Sequence, residues 1–497
     1  MSTDIIEVKW YKKILQWCKL ITIEPTMFLY MFAIMFTSVV EQAFFVRKAC
    51  LVNHNYTVEI CDNIVHHEEV NIKVQHTTSN FFQYESIAAH IFPIILALFL
   101  GAWSDKRGRK LPLLLGLTGK FIFYVMMIIN ENQPSWPLEY VIYTATLPCS
   151  LTGGDIAIFA SSFAYITDVS TLQSRTIRVT ILEAVTLITT PTGVALGSYL
   201  FHKVLNKSFS WMFAITAIMI LTAILYTFLV LKWQSNPKQR SLKELGCCGI
   251  WRDYFDKQHV FDSIKVLTKR RTQSRRLFLI LILFSMALYT FVRDEKAYLF
   301  LHTQHTFGWD VQDFSNYKTF QSSAYIVVLF IAVPVMNKIF KWRDTVIILF
   351  GCIAHAIARL IYFFADTSLI FYLGSIVCSF GPIAGPALRA FTSKIIPVVE
   401  RGKVFALLSV CDNAVPFISG VLYTQVYNAT LGSMAGLFLL SFSFLILAIC
   451  LISIIHFKLG HDPIIITEEI LDNKSESVAS LVSGNSPKTN KELNTKT

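Results

Sequence analysis

Charged residues are scarce in this chain. Asp, Glu, Lys and Arg make up 15% of its 497 residues, whereas apolar residues make up 54% and Phe alone occurs 40 times. The mean hydropathy is +0.52. Soluble domains carry about 25% charged residues. The composition therefore excludes an ordinary soluble protein and indicates a chain whose solvent is mostly lipid.

The sequence also lacks the common signatures of chemistry. It contains no Gly-rich phosphate loop, no metal-ligand spacing, and no nucleophile with a base in a plausible context. We therefore expect no enzyme, no metal site and no cofactor. The net charge of +11 does not indicate nucleic-acid binding, because the basic residues line loops next to the membrane, where they meet anionic lipid.

Twelve long apolar stretches predict an all-α membrane protein with 12 transmembrane helices. About 20 residues at 1.5 Å rise cross a hydrocarbon slab of about 30 Å. The stretches do not alternate in polarity, which excludes a barrel. The predicted spans 1 to 12 are 26–46, 86–104, 111–130, 138–167, 177–201, 211–233, 276–301, 320–340, 345–365, 368–392, 403–425 and 432–456.

Lys and Arg lie mainly in the even-numbered loops, so the positive-inside rule places both termini in the cytoplasm. The predicted parts of the chain are a cytoplasmic N-terminal segment at 1–25, a six-helix bundle at 26–233, a cytoplasmic linker at 234–275, a second six-helix bundle at 276–456, and a disordered tail at 457–497. No cleavable signal peptide is evident, and span 1 can serve as the signal.

The loops predicted to lie outside carry modification candidates. Three glycosylation sequons begin at Asn55, Asn206 and Asn428, and such sites are used only on the outer or lumenal face. Cys50 and Cys61 flank Asn55 in an oxidising compartment, which favours a local disulfide. His54, His66, His67 and His76 share this loop without a ligand spacing, and we interpret them as solvated.

The charged insert between spans 2 and 3 is the most specific motif. It reads Gly101-Ala-Trp-Ser-Asp105-Lys-Arg107-Gly108-Arg109-Lys110, and it resembles the signature of the major facilitator superfamily in sequence, loop and position. In that superfamily the cluster helps to latch an inner gate. We assign these residues, with Arg178 after span 4, to such a gate. The alternative is a basic loop that only sets topology.

A second resemblance runs from span 4 into span 5. The segments Gly153-Gly154-Asp155, Ser161 to Ser170 and Ser174 to Ala184 are similar to solute carrier family 46, the proton-coupled folate transporter family. This resemblance covers nearly the whole chain. It implies a major facilitator fold of two six-helix bundles around a central cavity that opens alternately to either side.

Ionisable residues inside spans usually face a cavity and function there. Glu183, on span 5, is our first choice for proton coupling because the matching Glu of the folate transporter has that role; a latch with Arg178 or the charged insert is its rival. Asp155 belongs to the family motif of span 4 and is the second coupling candidate. Its alternative role is a structural hydrogen bond to a neighbouring helix.

The second half supplies candidates for the substrate cavity. His355 and Arg359 are four residues apart and share a helix face. Gly381-Pro382 and Gly385-Pro386 should break span 10 just before Arg389, which matches the family's arginine on that helix and could bind a carboxylate or form a gate salt bridge.

Two positions depart from the folate transporter. Tyr289 stands where that protein has a histidine on helix 7, and no cysteine lies near Trp309, so the disulfide that joins the two halves there cannot form. Glu41 adds an acid to the cavity, and Arg293 to Lys296 reads as a self-neutralising rim.

Together these residues predict a secondary active transporter. We expect proton-coupled symport of a small organic anion, driven by the proton gradient, with the family suggesting folate, muramyl peptides, cyclic dinucleotides or conjugated steroids. The membrane is the plasma membrane or an endolysosomal one, and the sequence does not give an oligomeric state. The alternative is a non-transporting receptor or scaffold on the same fold, signalling through its Ser- and Lys-rich tail.

Overall fold

The computed structural model of the chain describes residues 21–170, 174–235, 239, 253–254, 275–395, 398–431 and 436–459. These residues form twelve long helices, which we number α1 to α12. Nine of the helices in the described ranges are long and apolar enough to cross a membrane. The exceptions are α2, α8 and α11; Glu85 of α2 and Lys318 of α8 line the cavity described below.

The N-terminal bundle contains six of these helices. They are α1 (Glu24–Lys48, prolonged by a wider turn over Ala49–Asn53), α2 (Glu68–Arg107), α3 (Lys110–Asn132), α4 (Ile142–Thr146, Leu147–Leu151 and Gly154–Val169), α5 (Arg175–Tyr199, prolonged over Leu200–Val204) and α6 (Phe209–Val230). Two short turns, Val58–Asp62 and Ile64–His66, lie between α1 and α2.

The C-terminal bundle contains the other six. They are α7 (Arg275–Arg293 and Lys296–Phe307), α8 (Val311–Pro334, prolonged over Val335–Ile339), α9 (Asp344–Phe363), α10 (Ser368–Cys378, Gly381–Ile383 and Ala384–Ile395), α11 (Val398–Thr430) and α12 (Gly436–Leu459). The breaks in α4, α7 and α10 fall beside the central cavity described below.

Within the N-terminal bundle α1 packs on α5 and α6, and in the C-terminal bundle α12 packs on α7 and α9. Small residues permit the closest approach: a Cβ added to Gly197 of α5 would collide with the carbonyl oxygen of Phe36 on α1. Between the bundles, α2 packs on α11 and α5 packs on α8.

The two ends of the molecule differ in chemistry. We call the end that carries Asp105 to Lys110 the basic end. The opposite end carries the Cys50–Cys61 disulfide, whose Cα atoms are 5.8 Å apart, and we call it the disulfide end.

Several predicted bounds were wrong. Span 2 was predicted to begin at 86, but α2 begins at Glu68, because its first five turns are too polar to be recognised by hydropathy. His76 therefore lies on a helix and not in a loop. Asn428 was also predicted to lie in a loop, but it lies within α11. α12 extends to Leu459, three residues into the predicted tail 457–497. The rest of that tail, most of the linker 234–275 and most of the N-terminal segment 1–25 lie outside the described residues.

Candidate functional site

A cavity of about 780 Å³ lies between the two bundles. Its charged lining residues fall on both walls: Glu41, Glu85, Lys120 and Asp155 from the N-terminal bundle, and Arg293, Asp294, Glu295, Lys296, Lys318 and Arg359 from the C-terminal bundle. The cavity is therefore built for a polar ligand and not for a purely apolar one.

Asp155 is positioned by the break in α4. Gly153 and Gly154 have φ angles of 87° and 47°, which glycine tolerates without strain, and the helix restarts there. Asp155 lies in the first turn of the new segment, where a helix dipole favours negative charge. It accepts a short hydrogen bond from Tyr30 of α1 and pairs with Lys120 of α3 at 2.8 Å. Asp155 thus has the partners on neighbouring helices that the structural alternative anticipated.

Glu41 and Glu85 face the cavity beside this pair and are partly buried. Among the described residues neither carboxylate has a hydrogen bond or an ion pair. Each experiences the charges of Lys120 and Asp155, but Lys120 already pairs with Asp155. The N-terminal wall therefore presents two carboxylates without direct partners.

The break in α7 orients the other wall. Between Arg293 and Lys296 the helix is interrupted, and Glu295 accepts a hydrogen bond from the Arg359 guanidinium at 3.1 Å. Ser441 of α12 donates a second, short bond to Glu295, and Asp294 accepts a short bond from Ser419 of α11. Arg293 to Lys296 thus lines the cavity and binds three other helices. The segment neutralises itself only in part, through the Arg293–Asp294 pair at 3.9 Å.

Tyr289 and His355 form a stacked pair in the cavity, with ring centroids 5.8 Å apart and planes 10° from parallel. The broken helix α10 makes room for it. A Cβ at Gly381 would collide with the His355 ring, and one at Gly385 would lie 3.2 Å from the Tyr289 ring. His355 is 7% exposed, and its Nδ1 has no hydrogen-bond partner in the part of the chain that the structure describes.

Arg389 and Glu183 lie on the basic side of the cavity. Arg389 was predicted to line the cavity, but it is not among the lining residues. It follows the lining residue Pro382 by seven residues, which places it about 10 Å farther along the helix. Glu183 likewise precedes the lining residue Leu187 by four residues, about 6 Å. The two exposed side chains attract each other electrostatically across the two bundles.

At the basic end the charged insert is tied to α4. Arg109 makes a short ion pair with Asp105 and a second, at 3.2 Å, with Asp168 at the end of α4. Gly108 has a φ of 111°, and a Cβ there would collide with the carbonyl oxygen of Trp233. Glycine is therefore required for the turn that aims Arg109 at Asp168.

Two further residues of the insert bind separate elements. The Lys110 ammonium donates to the carbonyl oxygens of Phe228 and Leu231 at 2.7 and 2.6 Å and so caps the end of α6. Arg107 pairs with Asp253 of the linker at 2.8 Å. The hydrogen bond and the positive charge of Arg107 hold the pKa of the Asp253 carboxyl below its usual value.

Arg178 binds the start of α1. Its guanidinium donates to Glu24 at 3.1 Å and to Thr22 at 2.8 Å. Glu24 is therefore the acid that holds Arg178, not Glu183, which was the latch considered from the sequence.

The disulfide end is closed by hydrogen bonds between α2 and the C-terminal bundle. Tyr427 donates to Gln75 at 2.6 Å, and Gln75 donates to the Leu301 carbonyl at 3.1 Å. Asn428 donates to Asn80 at 2.8 Å and accepts a short bond from Ser79. We call this set the amide seam. Because the Asn428 amide is used here, the sequon at this position is not presented on a loop, whereas Asn55 and Asn206 are exposed.

Other functional candidates were missed by the sequence. Lys120 stands inside predicted span 3, and its charge at membrane depth was a sufficient signal. Glu85 and Lys318 fell just outside spans 2 and 8 as predicted, so they were not counted as intramembrane charges. Within the described part of the chain, no group of three or more His, Cys, Asp or Glu side chains is placed to hold a metal ion.

A sequence model of the Major Facilitator Superfamily matches residues 26–420. The chain belongs to the major facilitator superfamily. This confirms the predicted fold and the prediction of a multi-pass membrane transporter, and the family is not one of enzymes.

Solved structures agree at the level of fold. The human organic anion transporter MFSD10 (TETRAN) superposes with a TM-score of 0.62 at 14% identity, covering 86% of this chain and 98% of that one. A D-xylose-proton symporter superposes with a TM-score of 0.60 at 14% identity, covering 87% of this chain and 96% of that one.

Curated relatives within the superfamily match over most of their length. The lysosomal proton-coupled steroid conjugate and bile acid symporter SLC46A3 of Gallus gallus is 25% identical, with 87% of this chain and 92% of that protein covered. The probable peptidoglycan muropeptide transporter SLC46 of Drosophila melanogaster is 24% identical, and the match covers 84% of this chain and 81% of that protein. The proton-coupled folate transporter of Bos taurus is 23% identical, and the match covers 87% of this chain and 91% of that protein. The resemblance to solute carrier family 46 is confirmed by these matches.

Proposed function

We propose that this protein is a proton-coupled symporter of a small organic anion that works by alternating access. The observation that carries the proposal is the cavity between the bundles, which is closed at the disulfide end by the amide seam. A basic cluster formed by Arg359, Lys296 and Lys318 lies on one wall. A curated relative named as a proton-coupled steroid conjugate and bile acid symporter, and another named as a proton-coupled folate transporter, support the reaction type.

Coupling is assigned to Glu183 with Arg389. The two groups lie on opposite bundles, α5 and α10, and attract each other on the basic side of the cavity. Protonation of Glu183 would remove this attraction, so the bundles could separate or close according to its charge. Asp155 is the weaker candidate, because Lys120 and Tyr30 already bind its carboxylate.

The substrate side of the proposal assigns Arg359, His355 and Tyr289 to the cavity, together with Glu41. The proposed transport cycle uses two small ligands, the proton and the substrate. We place the protein in the plasma membrane or an endolysosomal membrane with both termini in the cytoplasm, and the relative named as lysosomal supports the second site.

The test is uptake into cells that display the protein on their surface. Labelled folate, a muramyl dipeptide and a steroid sulfate are supplied at about pH 5.5 and about pH 7.4. The matched variants are Glu183→Gln and Glu69→Gln, since Glu69 is exposed in the first turn of α2, away from the cavity. We expect acid-stimulated uptake in the wild type and in Glu69→Gln, and its loss in Glu183→Gln.

Two results would count against the proposal. Uptake that is equal at both pH values would remove proton coupling. Absence of uptake for all three probes, with surface display verified by labelling, would favour the receptor or scaffold.

A further inference from the structure

The two walls of the cavity carry opposite charge. The lining residues of the N-terminal bundle include three carboxylates and one lysine, whereas those of the C-terminal bundle include two carboxylates and four basic residues. Each wall therefore has a net charge, negative on the N-terminal side and positive on the C-terminal side. A cavity for a simple anion would not need the negative wall, because carboxylates repel an anion and are costly at membrane depth.

Contacts within the N-terminal wall neutralise only one of its three carboxylates. Asp155 is neutralised by Lys120 at 2.8 Å, which leaves Glu41 and Glu85 facing the cavity. On the opposite wall Arg359 is bound by Glu295, while Lys296 has neither a hydrogen bond nor an ion pair within the described ranges. Free charge thus remains on each side of the same cavity.

Lys318 connects the two walls. Its ammonium donates to Ser38 of α1 at 3.0 Å, one helical turn before Glu41. Lys318 and Glu41 attract each other electrostatically without forming an ion pair. Opposite charges are therefore held near each other with space between them, an arrangement that a ligand with two charged groups can bridge.

Three buried polar atoms in the cavity lining, one each on Gln42, Thr146 and His355, have no hydrogen-bond partner among the described residues. Two of these atoms belong to residues that are almost fully buried: Oγ1 of Thr146 on α4, which is 3% exposed, and Nδ1 of His355, which is 7% exposed. Buried polar groups are rarely left unpaired. Because both residues line the cavity, their missing bonds point to a polar ligand that reaches both walls.

We propose that the substrate is zwitterionic, with an ammonium group bound by Glu41 and Glu85 and a carboxylate bound by Lys318 and Lys296. The proposal rests on the transport function proposed above and narrows its substrate class from organic anions to amino- and carboxylate-bearing molecules of peptide character. Charge-assisted hydrogen bonds at both ends would fix the orientation of the ligand.

The test compares two probes that differ in one charge. They are a muramyl tripeptide whose third residue is lysine and the same peptide acetylated on the lysine ε-amine. Binding to the purified full-length protein is measured by ligand-induced thermal stabilisation over a concentration series, and uptake is measured in parallel in cells. The variants are Glu41→Gln with Glu85→Gln, and Glu69→Gln as the control.

We expect the wild type and Glu69→Gln to bind the free amine about tenfold or more tightly than the acetylated peptide. Glu41→Gln with Glu85→Gln should abolish this preference while leaving the affinity for the acetylated peptide unchanged. Lys318→Gln should weaken both probes and keep the preference.

Equal affinity of the wild type for the two probes would overturn the inference, and this result does not depend on whether a variant folds. A preference that persists in the double variant would also overturn it. Binding with the expected preference but without uptake would contradict the transport proposal alone, and uptake of both probes at equal rates would contradict the zwitterion proposal alone.

Discussion

Removing one partner of the Glu295–Arg359 pair should strongly destabilise the C-terminal bundle. The two groups are 3.1 Å apart, and their side chains are 3% and 6% exposed. At an effective dielectric constant of about 20, charges at this distance attract by about 5 kcal/mol, and loss of one partner from a buried pair costs about 3 to 5 kcal/mol. Both Arg359→Gln and Glu295→Gln leave a buried charge without its partner.

The double variant distinguishes this mechanism from a simple loss of packing. Glu295→Gln with Arg359→Gln leaves two neutral amide side chains and no buried charge without its partner. We therefore expect it to be more stable than either single variant, which amounts to a favourable coupling in a double-mutant cycle. Stability is measured by thermal unfolding of the purified protein in one detergent.

If the two single variants unfold at the wild-type temperature, or if their effects simply add in the double variant, the reasoning fails. Additivity would mean that the residues do not depend on each other. Arg293→Gln is the matched control for loss of a cavity-lining positive charge, because Arg293 is exposed and its closest approach to Asp294 is 3.9 Å.

Two further predictions concern the basic end and the helix packing. The Arg107–Asp253 pair should hold the linker on α2, so Asp253→Asn should increase cleavage of the linker by added protease. The folded-state pKa of Asp253 lies below the usual 3.8, so its contribution is present above that value and is lost as the pH falls through the lower folded value. Protection should therefore be equal at about pH 7 and about pH 5, and a loss between these values would contradict the assignment. Gly197→Ala should destabilise by about 1 to 3 kcal/mol through collision with Phe36, measured as a lower unfolding temperature than that of Ala195→Gly in the same helix.

The helical architecture could be predicted because lipid imposes a simple rule on the sequence. A spanning helix must hide its backbone and expose apolar side chains, so α6 and α12 are evident from composition alone. The same rule fails for α2, α8 and α11. Polar residues such as Glu85 of α2 and Lys318 of α8 face the cavity, and Thr424 of α11 donates to the Ser79 carbonyl of α2. These helices therefore extend beyond the apolar pattern that hydropathy recognises.

The cavity residues show the same limit. His355, Arg359, Tyr289 and Glu41 could be named because they lie in the apolar parts of their spans. Glu85 and Lys318 could not, since their helices begin earlier than the apolar pattern does. Pairing was beyond the sequence altogether: Glu295 with Arg359 and Lys120 with Asp155 join helices that are far apart in the chain.

The amide seam at the disulfide end is made of neutral groups only. Gln75, Asn80, Tyr427 and Asn428 do not change charge between a neutral and an acidic compartment, and hydrogen bonds between neutral groups are little affected by salt. These hydrogen bonds therefore hold the two bundles together equally well in a neutral and in an acidic medium. A change of acidity would open or close the cavity through charged residues of the protein and not through the seam's own bonds.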